Sequence, residues 1–286
     1  MTQEEKTVED EFFISDESEF SKEQYKIYKS DERETLYDLA EDAYNRIGKG
    51  DTALLIAVLN NFSKFELYSS NNLVLITLQN PNSTKLNSYD DWQKADVSVL
   101  KGEKAIKILA PVDILKNNVL KQYTNVKYVF DISQTNLKER YILPEFSDKT
   151  IRKGIEKFSY VKPIPIKNLE ENESYVLSSN LNQVYVNSNL IDNLYNVAAF
   201  EAVVKTELIR HKKQFGKEAE LILACCNYIF ANRYYSATDF AEPFIVYLCV
   251  EELELESISV RQILKRVREI CKRLFNAVNE VAESEI

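Results

Sequence analysis

At 286 residues the chain is long enough for one large domain or two ordinary ones, and 45% hydrophobic against 28% charged residues is a common globular balance. A formal charge of −9 disfavours nonspecific nucleic-acid binding by the whole surface but leaves room for a local basic face. With 5 glycines, no GxGxxG and no GxxxxGK[ST], the sequence argues against the usual glycine-cradled nucleotide enzymes.

The longest apolar runs, such as "ALLIAVL" at 53–59, fall short of the roughly 18–20 residues a spanning helix needs. The acidic start "MTQEEKTVEDEFF" lacks the basic-then-apolar order of a secretory signal, so a cytoplasmic location away from membranes is expected. Cys225, Cys226, Cys249 and Cys271 contain no CxxC pair and read as reduced, buried, small apolar residues.

In chain order, residues 1–32 hold eleven Asp/Glu against four Lys, a net −7, and read as an acidic, weakly ordered arm. Its aromatics, Phe12, Phe13, Phe20, Tyr25 and Tyr28, could dock elsewhere. Helical spacing follows in 34–47, is broken by "GKGD" at 48–51, and resumes in "TALLIAVLNNFSKF" and in "SSNNLVLITLQN", which Pro81 closes. "SYDDWQKAD" reads as a short helix. The period then changes to two around Ile106 and Ile108, and "VKYVFDISQT" at 126–135 reads as a further strand.

Residues 137–172, with "VKPIPIK", read as a charged, Pro-containing connector. "SYVLS" and "QVYVN" flank "SNLN" as a hairpin, and helices are expected near 190–215, 217–234 and 238–253. The last helix is the clearest, with Val260, Ile263, Val267, Ile270, Leu274, Val278 and Val281 recurring every three to four residues and Ser259 with Gln262 as a capping box. The expected class is α+β. N-terminal helices and a small antiparallel sheet fill 33–136, and a mostly helical domain with a β-hairpin fills 173–286.

Four motifs then fall in order: "YSSNNLVLITLQNP" at 68–81, Trp92, "KGEKAIKILAP" at 101–111 and "FDISQT" at 130–135. In order and spacing they resemble the N-terminal domain of the ArdC antirestriction family, over about residues 50–136. The resemblance implies a single-stranded-DNA-binding domain. It also implies an accessory role on a plasmid, transposon or phage, where single-stranded DNA, or a host restriction or other defence protein, is held to protect incoming DNA.

The residues give that implication a physical basis. Tyr68, Tyr89 and Trp92 offer faces on which bases can stack, and Asn72 and Gln79 offer amide donors and acceptors beside Ser69. Lys101, Lys104 and Lys107 can meet phosphates, and Gly102 lets backbone amides approach an anion. The plainer alternative stays open: Tyr68 and Trp92 as core residues, Asn72 as an internal hydrogen-bonder, the lysines as solvated charges. Two basic positions of the family pattern are missing, because Asp96-Val97 and Leu100 stand in their places.

The helix "AFEAVVKTELIRHKKQF" at 199–215 holds His211, the sole histidine. Its position resembles the metal-binding helix of the zincin-like domain that ArdC-like and LtrC-like proteins carry. There, H-E-x-x-H puts two imidazoles on one helical face and a glutamate beside the metal-bound water. Laid on that motif, Thr206 and Arg210 take the histidine places, Glu207 keeps the glutamate place, and Glu218 or Glu220 answers to the third ligand. The resemblance therefore implies a degenerate, non-catalytic pseudo-metallopeptidase with no cofactor. Two alternatives stand beside this reading. One is a metallopeptidase using a shifted site of Glu207 and His211 with Glu218 or Glu220. The other is an acidic DNA mimic that occupies a host defence protein.

Overall fold

The computed structural model describes residues 22–116, 119–137, 144–170, 173–212, 216–235 and 257–285. Residues 1–21 of the expected arm and the expected helix 238–253, with Cys249, lie outside them. Among the described residues no helix is long and apolar enough to cross a membrane.

The chain opens with α1 (Lys22–Gly48), α2 (Thr52–Lys64) and α3 (Ser70–Gln79). The breaks between them follow local chemistry. Gly50 turns at φ +93, a region that favours glycine, and Asp51 accepts from the Leu54 amide at 3.0 Å to cap α2. Ser69 accepts from the Asn72 amide at 3.3 Å and caps α3. Strand β1 (Leu86–Asn87), helix α4 (Tyr89–Lys94) and the long hairpin of β2 (Ile106–Lys116) and β3 (Val119–Asp131) follow. The sheet order is β1-β3-β2, all antiparallel, with Ile106 opposite Val129 and Leu86 opposite Asp131.

Helix α1 starts earlier than the periodicity suggests, so residues 22–32 are helix and not weakly ordered arm. The cause is a buried anchor. Glu32 accepts from the Tyr128 hydroxyl at 2.6 Å and pairs with Lys107 at 2.7 Å, while Arg33 donates to the Thr124 carbonyl at 3.1 Å. Burial alone would raise the Glu32 carboxyl. The bonds from Lys107 and Tyr128 and the charges of Lys107 and Lys29 outweigh it and hold the group below its ordinary 4.5.

The expected connector contains an amphipathic helix, α5 (Asp148–Phe158), and a strand, β4 (Pro163–Ile166). Ser147 caps α5 through the Thr150 amide at 3.1 Å, and Ile151, Ile155 and Phe158 are buried. The expected hairpin is β5 (Tyr175–Leu177) with β6 (Val184–Asn187), and β4 joins β6 in parallel to give the order β4-β6-β5. Helices α6 (Asp192–Lys212), α7 (Lys217–Tyr235) and α8 (Ser257–Ser284) complete the described fold. Helix α8 already includes Ser257, so Ser259 lies inside its first turn and does not cap it.

All seven apolar positions predicted for α8 are buried. That stripe packs on α1, α5 and α7, and one hydrophobic core runs from Leu36 and Leu59 through Phe200 to Ile270 and Val278. The two halves of the chain thus share a core across the expected boundary. Beyond that boundary α5 packs tightly on α8, where Gly154 faces Val278 with no room for a β-carbon. Cys225, Cys226 and Cys271 are buried as expected, and burial with neighbouring Cys271 pushes the Cys226 thiol up, away from reactivity.

Candidate functional site

The N-terminal residues selected from sequence divide into those consumed by the fold and those left on the surface. Asn72 and Gln79 are consumed. Asn72 donates to the Leu109 carbonyl at 2.8 Å and accepts from its amide at 2.9 Å. Gln79 does the same to Lys107, at 2.8 and 2.9 Å. Both amides lie on α3 one heptad apart and pair with alternate residues of β2, the outer strand of its sheet. They satisfy the edge groups that a further strand would otherwise take. They are not available for bases.

Trp92 is also structural, at 2% exposure, with its indole N–H donating to the Phe130 carbonyl at 2.9 Å. It packs with Val97 and Ile132 in a small satellite core, which explains why an apolar residue stands at Val97. Tyr68 is half-buried, edge-on to Phe65 with ring centroids 5.6 Å apart, and its carbonyl accepts from Arg268 at 2.9 Å. Tyr89 sits edge-on to Phe130 at 6.4 Å. Ser69 is a cap, and Lys107 is paired with Glu32. The stacking and amide roles expected of Trp92, Asn72 and Gln79 are therefore corrected, as is the phosphate role of Lys107.

What remains exposed is the turn before β2. Lys101, Gly102 and Lys104 are all on the surface, and Gly102 adopts φ +91. The turn is held from behind by Gln134, whose side-chain amide donates to the Lys104 carbonyl at 2.8 Å and to Glu103 at 3.0 Å. The Leu100 amide donates to the Gln134 carbonyl at 2.8 Å. Two ammonium groups thus stand on a fixed backbone.

The second region lies on α6. Thr206 is buried and returns its hydroxyl hydrogen to the Ala202 carbonyl at 2.8 Å. Arg210 donates to the Leu181 carbonyl at 2.6 Å and the Asn182 side chain at 2.7 Å, so it holds the β5–β6 turn, where Leu181 adopts φ +58. Glu207 is gripped by two guanidinium groups of α8. Arg273 Nη2 donates to both carboxylate oxygens at 2.7 Å, and Arg266 Nη2 donates to Oε1 at 2.6 Å. Both oxygens of the Glu207 carboxylate are thus engaged by cations of α8.

The shifted site is not assembled. His211 is exposed and shares a surface recess with Glu218 and Arg266, but Glu207 turns toward Arg273, and Glu220 does not line that recess. Among the described residues no group of three or more His, Cys, Asp or Glu side chains is placed to hold a metal ion.

Around Glu207 opens a cleft of about 780 Å³ between α6, α8 and the segment Ser159–Val161 that follows α5. Arg210, Arg266, Lys272 and Arg273 line it against Glu207 and Glu269, four cations to two carboxylates in a chain of net charge −9. The reading from sequence missed this cluster. Its signal lay in "LKRVREICKR", where Arg266 and Arg273, seven residues apart, share a face of α8.

Comparison with known proteins gives the following. Residues 46–141 match the family model for the N-terminal domain of anti-restriction factor ArdC. Two solved structures of the antirestriction ArdC protein from the R388 plasmid are similar at 11% identity. The metal-free one has a TM-score of 0.48 and covers 85% of this chain and 98% of that one. The Mn(II)-bound one has a TM-score of 0.45 and covers 82% and 97%. Neither likeness is close enough to carry residue roles across, and no curated protein matches the chain. Residues 46–141, which hold the sheet β1-β3-β2 and its amide-clamped outer strand, are thus similar to the N-terminal domain of anti-restriction factor ArdC.

Proposed function

We propose that this protein is an antirestriction factor that acts by binding, not by catalysis, and that it holds single-stranded DNA through the exposed turn Lys101–Lys104. The observation that carries the reading is the match of residues 46–141 to the ArdC N-terminal domain. The geometry refines it. With the Trp92 ring buried and the side-chain amides of Asn72 and Gln79 bonded to β2, base stacking and amide readout are weak contributors. The main contribution is charge, from Lys101 and Lys104 on a backbone fixed by Gln134. Binding of this kind is salt-dependent and tolerant of sequence. With Val97 and Leu100 at the two basic positions of the family pattern, the expected affinity is micromolar at best.

The non-catalytic part rests on α6. Thr206, Glu207 and Arg210 are each committed to a neighbour within the fold, and Glu207 is neutralised by Arg266 and Arg273.

Transformation of a restricting host with unmodified DNA, with and without the protein, tests the role. Protection that is present in the wild type and lost in Lys101→Ala/Lys104→Ala supports DNA binding as its basis. Protection fully retained by that variant moves the action to a host defence protein. Absence of protection rejects the antirestriction reading.

A further inference from the structure

The cleft around Glu207 has a composition that neither the ArdC-type domain nor the proposed single-strand binding uses. The geometry points to a binding site for a nucleotide 5′-phosphate in this cleft, with Tyr160 as the platform for the base. The inference is independent of the Lys101–Lys104 reading.

Three features carry it. First, the cations are held in place before any ligand arrives. Arg273 is fixed by Glu207 at 2.7 Å and lies over the Phe158 ring at 4.9 Å, and Arg266 is fixed by Glu207 at 2.6 Å. Both spend Nη2 on Glu207. Among the described residues Arg273 keeps Nη1 and Nε without a hydrogen-bond partner, and Lys272 has no ion pair. The free Nη1 and Nε hydrogens of Arg273 lie on different edges of the guanidinium, so each can give a single charge-assisted hydrogen bond to a phosphate oxygen, with Lys272 as a further cation. The site already holds one oxyanion of its own, the Glu207 carboxylate, and still carries more cations than carboxylates.

Second, Tyr160 stands at the rim with 89% of its surface exposed, the most open large hydrophobic side chain among the described residues. It follows α5 directly, and Ser159 and Val161 on either side are tied to each other, with the Ser159 hydroxyl donating to the Val161 carbonyl at 2.7 Å. An exposed ring on a short, hydrogen-bonded turn beside a cluster of held cations is an arrangement for a planar base attached to a phosphate.

Third, the cleft volume of about 780 Å³ lies within the range of small-molecule sites and is larger than a bare inorganic anion needs. The scarcity of glycine is no obstacle, because recognition here comes from side-chain guanidinium groups and not from a backbone cradle.

The phosphate could belong to a free nucleoside monophosphate or to the 5′ end of a strand. Calorimetric titration of the full chain at low salt distinguishes them with four probes: dAMP, deoxyadenosine, and oligo-dT with and without a 5′-phosphate. The expected result is that dAMP binds and deoxyadenosine binds at least about ten-fold more weakly, since the phosphate contacts dominate. Tyr160→Ala should weaken dAMP about ten-fold, and Lys272→Ala severalfold. Both residues are exposed, so both variants should fold, with circular dichroism as the check. Lys101→Ala/Lys104→Ala should leave dAMP unchanged, which separates this site from the ArdC-type domain. Preference for 5′-phosphorylated over 5′-hydroxyl oligonucleotide assigns the strand end, and equal affinity for the two assigns the free nucleotide. No binding of dAMP to the wild type, equal binding of dAMP and deoxyadenosine, or unchanged dAMP binding in a folded Arg266→Gln/Arg273→Gln variant overturns the proposal.

Discussion

The packing of α5 on α8 invites a test at Gly154. In an exposed helix, Gly→Ala is stabilising by about 1 kcal/mol, because alanine loses less backbone entropy on folding. Here the sign should reverse. A β-carbon at Gly154 would lie 2.4 Å from Val278 Cγ2 and 2.9 Å from Val278 Cα. Rotation of the valine side chain relieves the first clash but not the second, which is with the backbone, so the two helices must move apart. Overpacking of this kind costs about 1–3 kcal/mol or more, which exceeds the propensity gain. Gly154→Ala is therefore expected to be net destabilised, by up to about 2 kcal/mol after the propensity gain is subtracted. Urea unfolding followed by circular dichroism measures this through the midpoint at constant slope. Val278→Ala in the same background should recover only part of the loss, since the clash with the residue 278 backbone remains. Gly154→Ala at or above wild-type stability would refute the packing argument. The site is also functionally placed, because α5 leads into Tyr160 and α8 carries Arg266 and Arg273, so the same variant should weaken anion binding in the cleft.

Other expectations follow from named contacts. Asn72→Ala leaves the Leu109 amide and carbonyl buried without their partner, and a loss of about 1–3 kcal/mol is expected on chemical denaturation; a neutral result would mean that β2 is not clamped as described. The Glu32 carboxyl is held below its ordinary 4.5, so its contribution to stability is complete above that value and is lost as pH falls through the lowered folded value. Glu32→Gln should be less stable than the wild type at neutral pH, and the difference should shrink under acid. A constant gap from pH 7 to pH 3 would contradict the linkage. Elemental analysis of protein purified without chelator should find no stoichiometric zinc; one equivalent per chain, lost in Glu207→Ala, would restore the metallopeptidase reading.

How much of this was legible in the sequence depended on whether the cause was local. Helix α8 was readable because seven apolar residues repeat at helical spacing and all seven are buried. The caps at Asp51 and Ser69 sit next to the apolar runs they start. Helix α5 was equally local, with Ser147 before Ile151, Ile155 and Phe158, but it lay among prolines and charges that read as a connector. The start of α1 was hidden because the force ordering its acidic first turns is the contact of Glu32 with Tyr128 and Lys107, 96 and 75 positions away.

The candidate site shows the same division. The family motif at 68–81 was recognisable as a string, yet the string does not say that Asn72 and Gln79 face a strand edge and not a ligand. Trp92 reads as a stacking ring or a core ring until the Phe130 carbonyl is found beside its N–H. On α6 the sequence shows Thr206, Glu207 and Arg210 but not the partners of Glu207, because Arg266 and Arg273 reach it across 59 and 66 residues of chain.

The account turns on whether the Lys101–Lys104 turn holds single-stranded DNA. Fluorescence anisotropy of a labelled oligo-dT with the full chain, across a salt series, measures this directly. The expected result is micromolar binding at low salt that weakens as salt rises, with Lys101→Ala/Lys104→Ala weaker and its salt slope reduced by about two phosphate contacts. Absence of binding by the folded wild type at low salt, or an unchanged affinity and slope in the double variant, would contradict it.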